Sequence, residues 1–169
     1  MTAIVMEKMV EVYKGSEGLN SLVDVAGGIG TGISYVKRKY PSIKAMNYDL
    51  PSVVEQAPHI PGEHCVYSVI HIWSDEHSLK LLKNCYEALP DHGKVIIMDL
   101  VSPQVVPQPG NSSMRNFYHN DVLMMALMQG GKGRNEENLK VLAKEAGFAS
   151  VKAVCCVYGH WIVELLKSA

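Results

Sequence analysis

A chain of 169 residues, 47% hydrophobic and 20% charged, has the size of one domain and buries about 70% of its unfolded surface, which excludes a disordered polypeptide. Sixteen Lys and Arg against 17 Asp and Glu leave a net charge of −1, so neither nucleic acid nor a membrane surface is expected as a partner. No apolar stretch reaches the roughly 18–20 residues of a membrane span, the start MTAIVMEKMVEVYKG has no secretory pattern, and four cysteines without a signal read as reduced thiols, which together predict a soluble cytoplasmic domain.

In chain order, helical spacing first places Val5, Met9, Val12 and Tyr13 on one face. A strand at Ser21–Ala26 precedes a helix from Thr31 to Tyr40, with Ile33, Val36 and Tyr40 inward, Pro41 as its stop and Lys37-Arg38-Lys39 as a solvated face. Strands follow at Ile43–Asp49 and Cys65–Ile70. Ser74 then reads as an N-cap, with Asp75 and Glu76 at the positive end of a helix that turns Leu79, Leu82, Tyr86 and Leu89 inward. After the turn Pro90-Asp91-His92-Gly93 comes a strand at Lys94–Leu100, then a helix carrying Phe117, Asp121, Met124, Met125 and Met128 on one face. The last helix opens at Asn135, buries Leu139, Leu142, Ala143 and Ala146, and ends at Gly147. Strands at Val151–Val157 and His160–Leu166 are separated only by Tyr158-Gly159, which predicts an antiparallel hairpin. Adjacent Cys155 and Cys156 point to opposite faces, one of them into the core. Strands alternating with helices make this an α/β protein with a mostly parallel, Rossmann-like sheet that ends in the hairpin.

The segment from Asp24 to Gly32, DVAGGIGTG, follows a strand and opens a helix, and its glycines let the backbone turn sharply and approach a ligand. Asp49 closes the next strand, 19 residues after Gly30, where a carboxylate accepts from ribose hydroxyls. A strict GxGxxG is not met, because its third glycine would fall at Ile33. The loop instead has the form of S-adenosylmethionine sites, which need no helix N-terminus for a pyrophosphate. His64, Cys65, His71, Asp75 and His77 lie close in sequence, but without CxxC or HExxH spacing no metal is predicted.

LVDVAGGIGTG, KRKYPSIKAMNYDLPSVVEQAP, HIWSDEHSLKLLKNCYEALPDHGKVII and GGKGRNEENLKVLAKEAGF together resemble plant S-adenosylmethionine-dependent O-methyltransferases, in particular the caffeic acid and related phenolic and alkaloid enzymes, over nearly the whole chain. The resemblance implies S-adenosyl-L-methionine held by Ala26, Gly27, Gly28, Gly30 and Asp49, and a small phenolic acceptor against Asn120, Leu123, Met124 and Met128. It assigns His71, at the C-terminal end of a strand, as general base, backed by Asp99 where the family has a longer glutamate.

Several positions depart from the family. Gly133 stands where its second glutamate belongs, in GGKGR instead of GGKER; Ile72 replaces an acid, Tyr67 a lysine, and Met128 the asparagine of the caffeic acid enzymes. Ala26 replaces the first loop glycine and fits only with negative φ. The stretch between DLPSVVEQAP and HIW has room for one strand where the family has two, so the sheet is expected to be one strand short and the adenosine-contacting block is missing. Residues 1–169 read as a single truncated catalytic domain, without the N-terminal domain through which the family forms homodimers. Two functions follow: methyl transfer from S-adenosylmethionine to a phenolic oxygen, or a catalytically impaired remnant that binds a full-length relative. A nicotinamide oxidoreductase is disfavoured by the failed GxGxxG and the terminal hairpin.

Overall fold

Residues 3–49, 65–67, 69–102 and 112–168 are described by the computed structural model, which divides into two units, Met1–Ser68 and Val69–Ala169. Helix α1 (Ala3–Val12) opens the first unit, followed by β1 (Ser21–Val25), α2 (Thr31–Lys39), β2 (Lys44–Tyr48) and β3 (Cys65–Tyr67). Strand β1 is central and pairs in parallel with β2, from Ser21↔Lys44 to Val25↔Tyr48, and with β3 at Asp24↔Cys65 and Val25↔Val66. Leu22, Val23 and Asp24 are consecutively buried, as expected of a parallel strand covered on both faces. The stretch that reads as shortened, residues 59–70, contains β3, and its residues 59–64 and 68 lie outside the described residues.

Helix α1 buries Val5, Met6, Met9 and Val10, with Tyr13 just beyond it. Val12, expected inward, is exposed, because at 100° per residue the buried stripe is centred towards Met6 and Val10 and leaves Val12 past its edge. Ile33 and Val36 are buried as expected, whereas Tyr40 is half-buried at the C-cap of α2. The basic run is more than a solvated face. Lys37 Nζ donates to Pro41 O and Ile43 O, both at 2.6 Å, and Lys39 Nζ to Val10 O at 2.5 Å.

The second unit begins with a 3₁₀ turn, Ile70–Ile72, and continues with α3 (Asp75–Ala88), β4 (Lys94–Ser102), α4 (Ser112–Leu127), β5 (Arg134–Asn135), α5 (Glu136–Ala146), β6 (Ser150–Val157) and β7 (His160–Leu166). The expected strand Cys65–Ile70 therefore stops at Tyr67, and Ile70 enters the turn. Strand β7 pairs antiparallel with β4 and with β6, and Tyr158 (φ 49°) and Gly159 (φ 84°) form the primed two-residue turn that matches strand twist. Cys155 is half-buried and Cys156 exposed beside a bulge at Ala153/Cys155, so neither is core.

Caps fall where the residue types place them. Ser74 Oγ accepts from His77 N, and Asn135 and Asn138 close a reciprocal capping box at 2.8 and 3.2 Å. Helix α5 buries all four expected residues and ends at left-handed Gly147 (φ 104°). On α3, Leu82 and Leu89 are buried, while Leu79 and Tyr86 are half-buried. Among the described residues no helix is long and apolar enough to cross a membrane.

Candidate active site

The turn from β1 into α2 is built on unusual backbone. Gly28 (φ 60°) and Gly30 (φ 82°) are left-handed, and so is Ala26 at φ 58°, against the expectation of negative φ. What holds Ala26 there is its own N–H, which donates to Tyr48 O at 2.7 Å and ties the loop to β2. Gly27 admits no side chain. A Cβ there would lie 2.2 Å from Asn47 Oδ1 and 2.5 Å from Asp24 Oδ2. Asp49 Oδ2 accepts from Gly28 N at 2.8 Å, and Asn47 Nδ2 donates to Gly28 O at 2.6 Å, so the end of β2 grips the middle of the loop.

Beneath the loop sits Asp24, which sequence reasoning placed in the motif without a role. Burial, aided by the charge of Asp49 and opposed by a hydrogen bond from the Ile33 backbone, pushes its carboxyl up to about 8. Asp24 Oδ1 and Asn47 Oδ1 are both buried without a hydrogen-bond partner. The signal was a lone acid within the apolar strand SLVDV.

In the second unit, His71 stands in the 3₁₀ turn instead of at a strand end, because Ile70–Ile72 has already turned. Its Nδ1 lies 2.7 Å from Asp99 Oδ1, with the N–H direction bent away from that of a linear hydrogen bond. Asp99 is buried on β4 and is fixed by two backbone donors, His71 N at 3.2 Å and Leu100 N at 2.7 Å. The shorter acid thus reaches the ring. His160, paired with Leu100 across the β4–β7 ladder, was not anticipated; burial holds its imidazole below the ordinary value although the Asp99 charge pulls it upward.

The expected acceptor residues separate on α4. Met124 is 7% exposed and belongs to the core with Phe117, Asn120 is half-buried, and Leu123 and Met128 are 49% and 38% exposed. Met125, expected on the inward stripe, is exposed as well, because burial follows Phe117 and Met124 at i and i+7 and does not spread to the next residue. Gly133, where the family has a glutamate, donates its N–H to Asp121 Oδ1 at 2.5 Å. A Cβ on Gly133 would fall 2.4 Å from Phe117 Cζ, so the ring occupies the space in which a side chain at 133 would begin.

A family described as "O-methyltransferase domain" matches residues 1–65 and 60–149, two stretches that meet where the sequence reads as shortened. Caffeic acid 3-O-methyltransferase 2 of Ocimum basilicum is 45% identical over 182 residues, covering 98% of this chain and 50% of that protein. Caffeic acid 3-O-methyltransferase of Catharanthus roseus is 43% identical with the same coverage. The chain therefore spans about half the length of the curated relatives it matches. Among solved structures, TnmH superposes with a TM-score of 0.82 at 23% identity, covering 97% of this chain and 54% of that one. Human N-acetylserotonin methyltransferase, solved in complex with SAM, gives 0.80 at 17% identity, covering 98% and 52%. These two likenesses establish the α/β methyltransferase fold. On the extent of the family match and the identity to its plant members, the chain belongs to the O-methyltransferase domain family.

Proposed function

We propose that residues 1–169 form the catalytic domain of a cytoplasmic O-methyltransferase that moves a methyl group from S-adenosyl-L-methionine to a hydroxyl of a small phenolic molecule, with His71 as general base. The observation that carries this reading is the 2.7 Å contact between His71 Nδ1 and Asp99 Oδ1. A carboxylate on Nδ1 keeps the proton there and leaves Nε2 as the basic nitrogen.

The loop suits the cofactor. Gly27 lets Asn47 and Asp24 pack against the loop, Gly28 and Gly30 supply left-handed backbone with open space beside Gly28, and Asp49 is a carboxylate at the end of β2. Bound there, S-adenosylmethionine supplies an electrophilic methyl group on a sulfonium. An ordinary phenol has pKa about 10 and an ordinary imidazole about 6.5, so prior proton transfer would be uphill by about 5 kcal/mol. His71 would therefore take the hydroxyl proton as charge develops on the acceptor oxygen during methyl transfer rather than before it. Asp99 stabilises the imidazolium that results. Asn120 and Leu123 on α4 and Met128 just past its end would line the acceptor side, with Met124 packed behind them; a thioether such as that of Met128 packs adaptably against a flat ring.

Methyl transfer from labelled cofactor to caffeic acid and other phenols tests the reading. His71→Gln is expected to abolish transfer while S-adenosylhomocysteine still binds, and Asp99→Asn, which keeps the shape and removes the charge, to lower turnover. Undiminished transfer in His71→Gln would remove it from the mechanism.

A second reading, an impaired remnant that docks on a full-length relative, is favoured by the exposed apolar residues Val122, Met125 and Leu127 of α4. Co-elution with such a relative, in the absence of methyl transfer, would support it.

A further inference from the structure

Arg134 begins β5 and is 3% exposed. Among the described residues its four side-chain hydrogen bonds all go to the turn that carries His71 and the start of the helix after it. Nη1 donates to Ile70 O, Nη2 to Trp73 O at 3.0 Å, and Nε and Nη2 to Asp75 Oδ1 at 3.1 and 2.8 Å. Lys132 grips the same segment, its N–H donating to His71 O at 2.9 Å and its Nζ to Asp75 Oδ2 at 2.5 Å. Burial pushes the Asp75 carboxyl up, but Lys132 and Arg134 outweigh it and hold it below its ordinary value. Behind Arg134, β5 pairs with β4 at Val101 and Ser102, two residues beyond Asp99. Arg134 thus links the strand that carries the acid, through its backbone, to the turn that carries the histidine, through its guanidinium.

Such an arrangement is costly unless it fixes something. A guanidinium stays charged when buried, so desolvating it is costly unless its donors are well directed, and its planar fork sets angles that an ammonium does not. A 3₁₀ turn of three residues has little rigidity of its own. We propose that Arg134 is a positioning residue for His71: by holding the carbonyls of Ile70 and Trp73 on either side of the turn, it keeps the imidazole against Asp99. The proposal rests on His71 being the base, and the experiment separates the two.

The test uses the full chain with ¹⁵N-labelled histidine, at a pH where the His71 ring is neutral. Nitrogen spectra report which ring atom carries the proton, calorimetry with S-adenosylhomocysteine reports the cofactor loop, and methyl transfer reports turnover. Arg134→Lys retains the charge but loses the fork. The expected result is a His71 ring that changes from the Nδ1-protonated form to a mixture, a fall in turnover of about tenfold to a hundredfold, and unchanged cofactor affinity. Asp75→Asn, at an exposed partner of Arg134, is expected to shift the same signals less, and it carries the test should Arg134→Lys not fold. An unchanged ring signature in the folded variants overturns the proposal whatever turnover does. Loss of cofactor affinity in step with turnover also overturns it, since that marks a general structural role. A shifted signature with undiminished turnover supports the clamp and overturns His71 as the base.

Discussion

Ala26 carries a backbone conformation that glycine adopts freely and alanine does not. At φ 58° its Cβ crowds the following carbonyl, a strain of about 1–2 kcal/mol, offset in part because a glycine would make the unfolded chain more flexible by about 0.4–1 kcal/mol. Ala26→Gly is therefore expected to stabilise the chain by about 0.5–1 kcal/mol, measured as a rise in the urea midpoint. A fall would show that the loop relaxes around alanine without strain. The sequence located this position and misjudged its dihedral, because φ is set by the bond from Ala26 N to Tyr48 O, a partner 22 residues away. It left open whether Asp99 reaches His71. The answer depended on the 3₁₀ turn at Ile70–Ile72, which has no period to read.

Among the elements, β1 places a protonatable acid in an apolar layer. The Asp24 carboxyl is raised from 3.8 in the unfolded chain to about 8 in the folded one, so between those values the folded chain holds a proton that the unfolded chain has lost. Its contribution to stability is full below about pH 4 and is lost progressively as pH rises towards about 8. Melting temperature should fall across that window, and Asp24→Asn, which never ionises, should flatten the fall. A slope identical in the variant would assign the dependence to other groups. Element boundaries with their own chemistry were legible: Ser74 and Asn135 as caps, Gly147 as a stop, Tyr158-Gly159 as a hairpin turn. Strand β5 was not. Two residues give no alternation, and Arg134–Asn135 is a strand only because β4 continues past Leu100 to meet it.

For the molecule as a whole, a net charge of −1 gives little mutual repulsion, and α4 exposes Tyr118, Val122, Leu123, Met125 and Leu127, with Met128 just beyond it. An apolar face of that kind on a nearly neutral protein favours association. Sedimentation at neutral pH is expected to show concentration-dependent self-association that Met125→Glu reduces. A monomer at all concentrations would refute it. The repeating pattern of strands, helices and glycine loop made the fold readable from sequence, and the resemblance of blocks such as HIWSDEH made the family so. The acceptor side was less so, because a stripe of methionines has the same spacing whether it faces a core, as at Met124, or solvent, as at Met128.

The Phe117 ring beside Gly133 makes the loss of the family's second glutamate hard to reverse. A single change to glutamate would have to force its first carbon into an aromatic ring already held edge-on, at 5.4 Å, to Tyr118. A smaller residue at 117 must come first, and by itself it opens a hole in the core while restoring no acid. Positions 117 and 133 are thus coupled: a glutamate introduced at 133 calls for a smaller side chain at 117 in the same variant.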